Sequence, residues 1–284
     1  MKTLDTVVED IYQSLEPLNS GHRLALTEED IDKVGEDIKE ALKHWAWPSK
    51  RNSGFSMRMS NIGRPARQLW FEKKANRASD FKSSDHIRFL YGHILESIVL
   101  MLVRLSGHEV TAEQKSVVVN GIKGHIDCKI DGEVVDVKTA SRFGFNKFQN
   151  GSLSEDDPFG YLAQLASYEE AEGTSNGGFL VISKESGELC FYQPEELDKP
   201  NVVVKISKLR KFLNMLKPPA FCYKTVPEGK SGNMKLPKGC SFCNYKFECH
   251  KDSNGGEGLK VFNYARGPVY LTKVVSMPKV AQII

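Results

Sequence analysis

The sequence predicts an α/β fold whose C-terminal part is an appendage tied to a metal through cysteines. Three observations point there. Patterns of helix, strands, helix, strands and helix follow one another along the chain, the order of an α/β core. A hydrophobic content of 40% with 26% charged residues suits a globular protein with a real core, and 284 residues allow one large domain or two modest ones. Four of the six cysteines fall between residues 222 and 249, a cluster that reads as metal binding before it reads as disulfides.

The N-terminal MKTLDTVVEDIYQSLE is acidic and lacks the continuous apolar segment of a secretory signal. No apolar run approaches the ~18–20 residues of a membrane span. A reducing, cytoplasmic location is therefore the default expectation. TEEDIDKVGEDIKEALKHW opens on Thr27 with Asp30 three residues on, a capping-box start to an amphipathic helix. Residues 50–61, KRNSGFSMRMSN, are polar and basic and read as a loop or an edge strand. RPARQLWFEKKA predicts a second helix with Pro65 in its first turn. A long, mostly apolar helix is expected over 84–105, then strands over 109–119, 123–130 and 134–139, and a helix over 160–171. GGFLVISKESGELCFYQP predicts a strand pair turning at Ser186-Gly187. A helix over 204–216 is ended by Pro218-Pro219, and the tail beyond the cysteines has β-prone pieces. The expected organisation is a helical region over 1–80, a core over 81–217 and a basic cysteine-cluster subdomain over 218–284.

Charge is unevenly spread. Residues 1–50 hold 11 Asp/Glu against 6 Lys/Arg, whereas residues 200–251 hold 11 Lys/Arg against 2 Asp/Glu. The basic third, including Lys224, Lys230, Lys235 and Lys238, suits a polyanionic partner such as DNA; an ordinary solvated surface would also account for it.

The chemistry concentrates in GHIDCKIDGEVVDVKTAS. Asp131-Gly132 is a strong two-residue hairpin signal. It sets Ile130 opposite Glu133, Cys128 opposite Val135, Asp127 opposite Asp136 and His125 opposite Lys138. Ile126, Cys128, Val135 and Val137 then share the core face, and His125, Asp127, Asp136 and Lys138 the other. Two opposed carboxylates repel, and a divalent cation between them removes the conflict; oxygen ligands suit Mg²⁺ or Mn²⁺. Glu96 is a third carboxylate, on an almost wholly apolar helix where an uncompensated charge is costly. Gly92, one turn earlier, leaves room for another backbone or a ligand. Without a metal, the same charges would make a solvated polar face with Lys138 in ion pairs, and Glu96 would lie on a narrow exposed stripe.

Taken in order over residues 88–168, Gly92-x-x-x-Glu96, Gly124-x-x-Asp127, Asp136-x-Lys138 and Gln164-x-x-x-Tyr168 resemble the motifs of the PD-(D/E)XK nuclease superfamily, its RecB-like exonuclease branch in particular. The resemblance implies a restriction-endonuclease-like core, a central mixed β-sheet flanked by helices. It implies a DNA exonuclease of phage or bacterial type in which Glu96, Asp127, Asp136 and the Val137 carbonyl bind Mg²⁺ or Mn²⁺ and Lys138 activates water or balances charge. By the same resemblance His93 is a further ligand, and Gln164 and Tyr168, with His125 beside them, contact DNA or organise the site. The resemblance also allows a ring-forming homo-oligomer, as in processive exonucleases. An endonuclease and a non-catalytic DNA-binding module remain the alternatives.

Cys240-x2-Cys243-x5-Cys249 matches the C-terminal cysteine spacing of RecB-like exonucleases that carry an iron–sulfur cluster. Those enzymes take a fourth cysteine from before the core, near where Pro65 and Ala66 stand here, and none is there. Cys222 can complete the set. Four thiolates serve a [4Fe–4S] cluster or Zn²⁺ equally well, and the resemblance favours iron–sulfur. Cys128 and Cys190 read as packing residues, and Trp70, Phe143, Phe145 and Phe148 as either base-stacking or core aromatics.

Overall fold

The computed structural model describes residues 2–47, 54–76 and 81–283; residues 50–53 of the expected loop lie outside that set. In chain order the elements are α1 (Val7–Leu15), α2 (Glu28–Ala46), α3 (Ala66–Ala75), α4 (Ser83–Leu105), β1 (Val110–Thr111), β2 (Ser116–Val119), β3 (Ile122–His125), β4 (Cys128–Ile130), β5 (Glu133–Ala140), α5 (Arg142–Gln149), α6 (Tyr161–Glu172), β6 (Gly178–Ser183), β7 (Leu189–Tyr192) and α7 (Val202–Leu213). Then come β8 (Val226–Pro227), β9 (Met234–Lys235), the single turns α8 (Lys238–Ser241), α9 (Lys246–Cys249) and α10 (Ser253–Gly256), and β10 (Lys260–Tyr264) and β11 (Gly267–Lys273). The capping box of α2 is present: the Thr27 hydroxyl accepts from the Asp30 N–H at 3.1 Å, and the Asp30 carboxylate accepts from the Thr27 N–H at 2.9 Å.

The chain divides into two units, Met1–Gly63 with Phe81–Ser207, and Arg64–Asp80 with Lys208–Ile284. The first is built on a five-stranded mixed sheet in the order β1-β4-β5-β6-β7, parallel only between β5 and β6. That parallel pair needs a crossover, which α5 and α6 supply. One side of the sheet packs Cys128, Val135, Val137, Leu180 and Ile182 against Val7 and Ile11 of α1 and Val99, Leu100 and Val103 of α4. The other side is covered too. Phe148 of α5 and Tyr161 of α6 pack with Phe179 and Tyr192 of the sheet, with ring centroids 5.4–6.3 Å apart. The face expected to be polar is therefore buried, and Asp136 lies in it fully shielded from solvent. Phe145, Phe148 and Trp70 are likewise buried, and Phe143 is exposed.

Several expectations need correction. The strands placed at 109–119 and 123–130 are each cut in two. Ala112 and Gln114 take left-handed φ values of 54° and 52°, which end β1. β2 and β3 then pair with each other as a separate ribbon, turning at Asn120-Gly121. α1 falls within the helical region expected over 1–80, α5 is an additional helix, and α7 stops at Leu213, short of the expected 216. Run length suggests no membrane span, but α4, with 23 residues, is long and apolar enough by composition to make one. Its buried Val99, Leu100 and Val103 are part of the core described above.

The second unit joins α3 to everything after residue 208 and carries a four-stranded sheet in the order β10-β11-β9-β8. Trp70 of α3 donates its indole N–H to the Met215 carbonyl at 2.9 Å, and Lys73 reaches the Asn214 side chain at 2.9 Å.

Candidate active site

The Asp131-Gly132 turn forms with both residues at positive φ, and β4 pairs with β5 in the predicted register from Ile130↔Glu133 to Cys128↔Val135. There the ladder ends. Asp127 does not sit opposite Asp136 as a strand pair: its carboxylate turns to accept the Val137 N–H at 2.9 Å, so a side chain replaces a backbone partner. His125 does not face Lys138. It is exposed at the end of β3, paired with Ser116.

Asp136 is the centre of the site. Its neighbour two residues along β5, Lys138, forms an ion pair with one carboxylate oxygen. Gln164 of α6 donates to the other at 3.3 Å and also donates to the Tyr168 hydroxyl at 3.0 Å. The i, i+4 spacing of Gln164 and Tyr168 thus reads as a bonded pair aimed at Asp136. Lys138 further lies 5.1 Å from the centre of the Tyr161 ring. Burial presses its ammonium toward the neutral form, but the charges of Asp136 and Asp127 outweigh this and raise its pKa.

Glu96 stands on α4, half-buried. Burial first, and then the charge of Asp136, pushes its carboxyl up to about 7. Asp127 is raised for the same two reasons in the same order. His93, one turn before Glu96, is exposed, and its carbonyl accepts from the Ser97 hydroxyl at 3.2 Å. Gly92 is not a point of close approach within the chain: an added Cβ there meets nothing within 4 Å.

Gly124 is such a point. A Cβ at this position would stand 2.6 Å from Met59 Sδ and 2.8 Å from Tyr168 Cε1. Gly124→Ala should push the Tyr168 ring and, through Gln164, loosen Asp136. The expected cost is ~1–3 kcal/mol of stability, as for other overpacked sites. Thermal melts of the Gly124→Ala variant check this; an unchanged melt would refute it.

Sequence reasoning missed Gln114. In the kink between β1 and β2 its side chain donates to Glu96 at 2.7 Å, while its backbone N–H donates to the Asp127 carbonyl at 3.0 Å. One residue thereby ties the Glu96 carboxylate to the backbone of Asp127. TAEQKS carries no pattern that marks it, because the tie depends on the left-handed turn. Gln114→Ala should push the Glu96 carboxyl further up, because the Gln114 amide donates to Glu96 and so favours its ionised form. Titration of Glu96 by carboxyl-resolved NMR is the check, and an unchanged Glu96 would show that the tie is incidental.

Among the described residues no three His, Cys, Asp or Glu side chains converge closely enough to hold a metal ion as they stand. The donor chemistry fits one nonetheless. Three hard oxygen donors share an environment that raises two of them, a cost that a divalent cation would offset. In the second unit, Cys222, Cys240, Cys243 and Cys249 all line one cavity. Burial, followed by the neighbouring thiols, pushes Cys240 up to about 12. Four soft sulfur donors facing one space fit zinc or an iron–sulfur cluster. Cys128 and Cys190 are buried in the first unit.

No protein-family model matches the chain, and no curated protein matches it. Among solved structures it is similar to that of SSO0001, at 16% identity and a TM-score of 0.39, over 74% of this chain and 93% of that one. It is also similar to an alkaline exonuclease, LHK-Exo from Laribacter hongkongensis, at 12% identity and a TM-score of 0.38, over 52% and 77% of the two chains. The same exonuclease in complex with dAMP matches at 10% identity and a TM-score of 0.34, over 66% and 92%.

Proposed function

We propose that the chain is a divalent-metal-dependent DNA nuclease, an exonuclease of the RecB-like type, with its reaction centre at Asp136. The observation that carries this reading is a fully buried carboxylate held between Lys138 and the Gln164–Tyr168 pair, close enough to Glu96 and Asp127 to raise both. Buried acids set against one another in this way are a common mark of a catalytic centre. Glu96, Asp127, Asp136 and the Val137 carbonyl would hold Mg²⁺ or Mn²⁺, with His93 at the edge of the set. When bound, the ion supplies Lewis-acid polarisation of the phosphate and a more acidic water.

The chain's own groups do the rest. Lys138 keeps its positive charge across the whole working pH range, because Asp136 and Asp127 outweigh its burial. It therefore balances negative charge building on the phosphoryl oxygens during in-line attack. Gln164 and Tyr168 fix the Asp136 carboxylate so that no reorganisation is needed when charge develops. His125, exposed on β3, is available to a DNA phosphate. The basic second unit, with Lys224, Lys230, Lys235 and Lys238, is suited to hold the backbone of the polymer. Its four cysteines form one thiolate site, for a [4Fe–4S] cluster or zinc, that pins this segment.

The test is hydrolysis of end-labelled linear DNA and closed circular DNA with Mg²⁺ or Mn²⁺. Release of nucleotides from linear DNA only is expected. Equal cutting of circles would replace the exonuclease reading with an endonuclease. Failure to cut linear, single-stranded or branched DNA would leave a binding module and end the enzyme reading.

A further inference from the structure

We propose that the first turn of α3 is the electrostatic cap of the cysteine site: Arg67, through its guanidinium, holds Cys249 oriented as a metal ligand in the cavity it shares with Cys222. This rests on reading the four cysteines as one metal–thiolate centre, and it assigns residues outside that cysteine set.

The geometry is specific. Arg67 Nε donates to Cys249 Sγ at 3.0 Å, and its Nη2 to the Cys249 carbonyl at 3.4 Å. Its Nη1 donates to the Pro219 carbonyl. The guanidinium lies 4.2 Å from the Phe221 ring, which stacks on His250 at 4.9 Å. Arg67 is therefore held by three separate contacts and cannot swing away without breaking them. Arg67 and Gln68 of this turn line one cavity with Cys222 and the other three cysteines. The first N–H groups of a helix have no carbonyl of their own turn to serve, and Pro65 at the N-cap offers no side-chain acceptor, so the turn adds positive potential beside that cavity.

The physical need is charge. Four thiolates around a divalent ion carry a net double negative charge that burial penalises. Arg67 offsets half of it. Lys246, which also lines the cavity and donates to the Cys243 carbonyl at 3.2 Å, is placed to offset the remainder. Directed N–H···S bonds also fix sulfur lone pairs, and hydrogen bonds to sulfur are among the factors that set the potential of iron–sulfur centres. The first turn of α3 thus brings a donor to sulfur into the cysteine cavity.

The experiment uses the full chain purified without oxygen. Metal content is measured, then the rate of metal loss to a chelator, for wild type, Arg67→Ala, Arg67→Lys and Cys222→Ser. The charge-transfer absorption of the Co²⁺-loaded protein, which reports thiolate ligation independently of any nuclease assay, is recorded for each. Wild type should hold a metal through four thiolates. Arg67→Ala should release it roughly 10–100-fold faster with an altered spectrum. Arg67→Lys, which keeps the charge but not the directed Nε donor, should fall between them; it also decides the matter if Arg67→Ala does not fold. Release and spectra matching wild type in Arg67→Lys and in any folded Arg67→Ala would overturn the cap while leaving the metal site standing. A wild type that binds no metal, with Cys222→Ser indistinguishable from it, would remove the metal reading and the cap together.

Discussion

Asp136→Asn should lower Mg²⁺-dependent DNA hydrolysis by roughly 10²–10⁴-fold, the range for removing a group that acts in the reaction, while DNA binding persists. Asn fits the same volume and can still accept from Gln164. What it loses is the negative charge that faces Lys138 and that helps to raise Glu96 and Asp127. Lys138 is left without its partner, but its side chain keeps 19% exposure and can reach water, so the fold survives at a cost of ~1–3 kcal/mol. The measurements are hydrolysis of labelled linear DNA, a thermal melt and DNA affinity without divalent ions. Activity within a few-fold of wild type in a well-folded variant would mean that Asp136 is a structural anchor and the reaction centre lies elsewhere.

Glu96→Gln should have two opposite effects: loss of hydrolysis and a gain in stability at alkaline pH. The Glu96 carboxyl is raised from 4.5 to about 7 in the folded protein. Between those values the native state binds more protons than the unfolded chain, so stability falls as pH rises through this window and then levels off. The penalty above the window is at most about 3 kcal/mol, taking 1.36 kcal/mol per unit. Gln has no proton to lose. The variant should therefore be more stable than wild type above neutrality, with a flatter stability profile between about pH 4.5 and 7. Mn²⁺ should raise the melting temperature of wild type there, and that of Glu96→Gln much less. Parallel denaturation series across pH test this; coincident profiles would show that Glu96 is solvated and outside the site.

The hairpin was the most legible part of the chain. Asp131-Gly132 states a turn, and the turn fixes the register of every residue that pairs near it. The reading failed one residue beyond the last observed pair, at Asp127, because it assumed that a ladder once started continues. Asn120-Gly121 is an equally strong turn signal, but it lies between the two expected strands and marks neither the break after Thr111 nor the one after His125. The burial of Asp136 was illegible for another reason. A charged residue alternating with valines looks like one solvated face until α5 and α6 are known to cover it, and α5 itself, RFGFNKFQ, has too few apolar residues to announce a helix. Gln164 and Tyr168 were legible as a pair by spacing, but their target was not.

Asp127 also complicates its own study. Its carboxylate serves as the acceptor that the broken ladder fails to give Val137. Asp127→Ala removes a candidate ligand and unpairs a peptide group at once, a loss of about 1–3 kcal/mol. Asp127→Asn retains an acceptor and separates the two effects.

The second unit is made of two stretches separated by the entire sheet. During synthesis α3 leaves the ribosome well ahead of Pro219 and Cys249, the partners of Arg67, which follow some 150 to 180 residues later. A fragment cut at the apparent boundary near residue 208 would lose Trp70 from Met215, Lys73 from Asn214 and the guanidinium from Cys249. It would be the basic, cysteine-bearing half of the molecule without the segment that shields its thiols, and so prone to oxidation and aggregation. A self-sufficient version has to carry residues 64–80 along, fused ahead of residue 208 by a flexible linker.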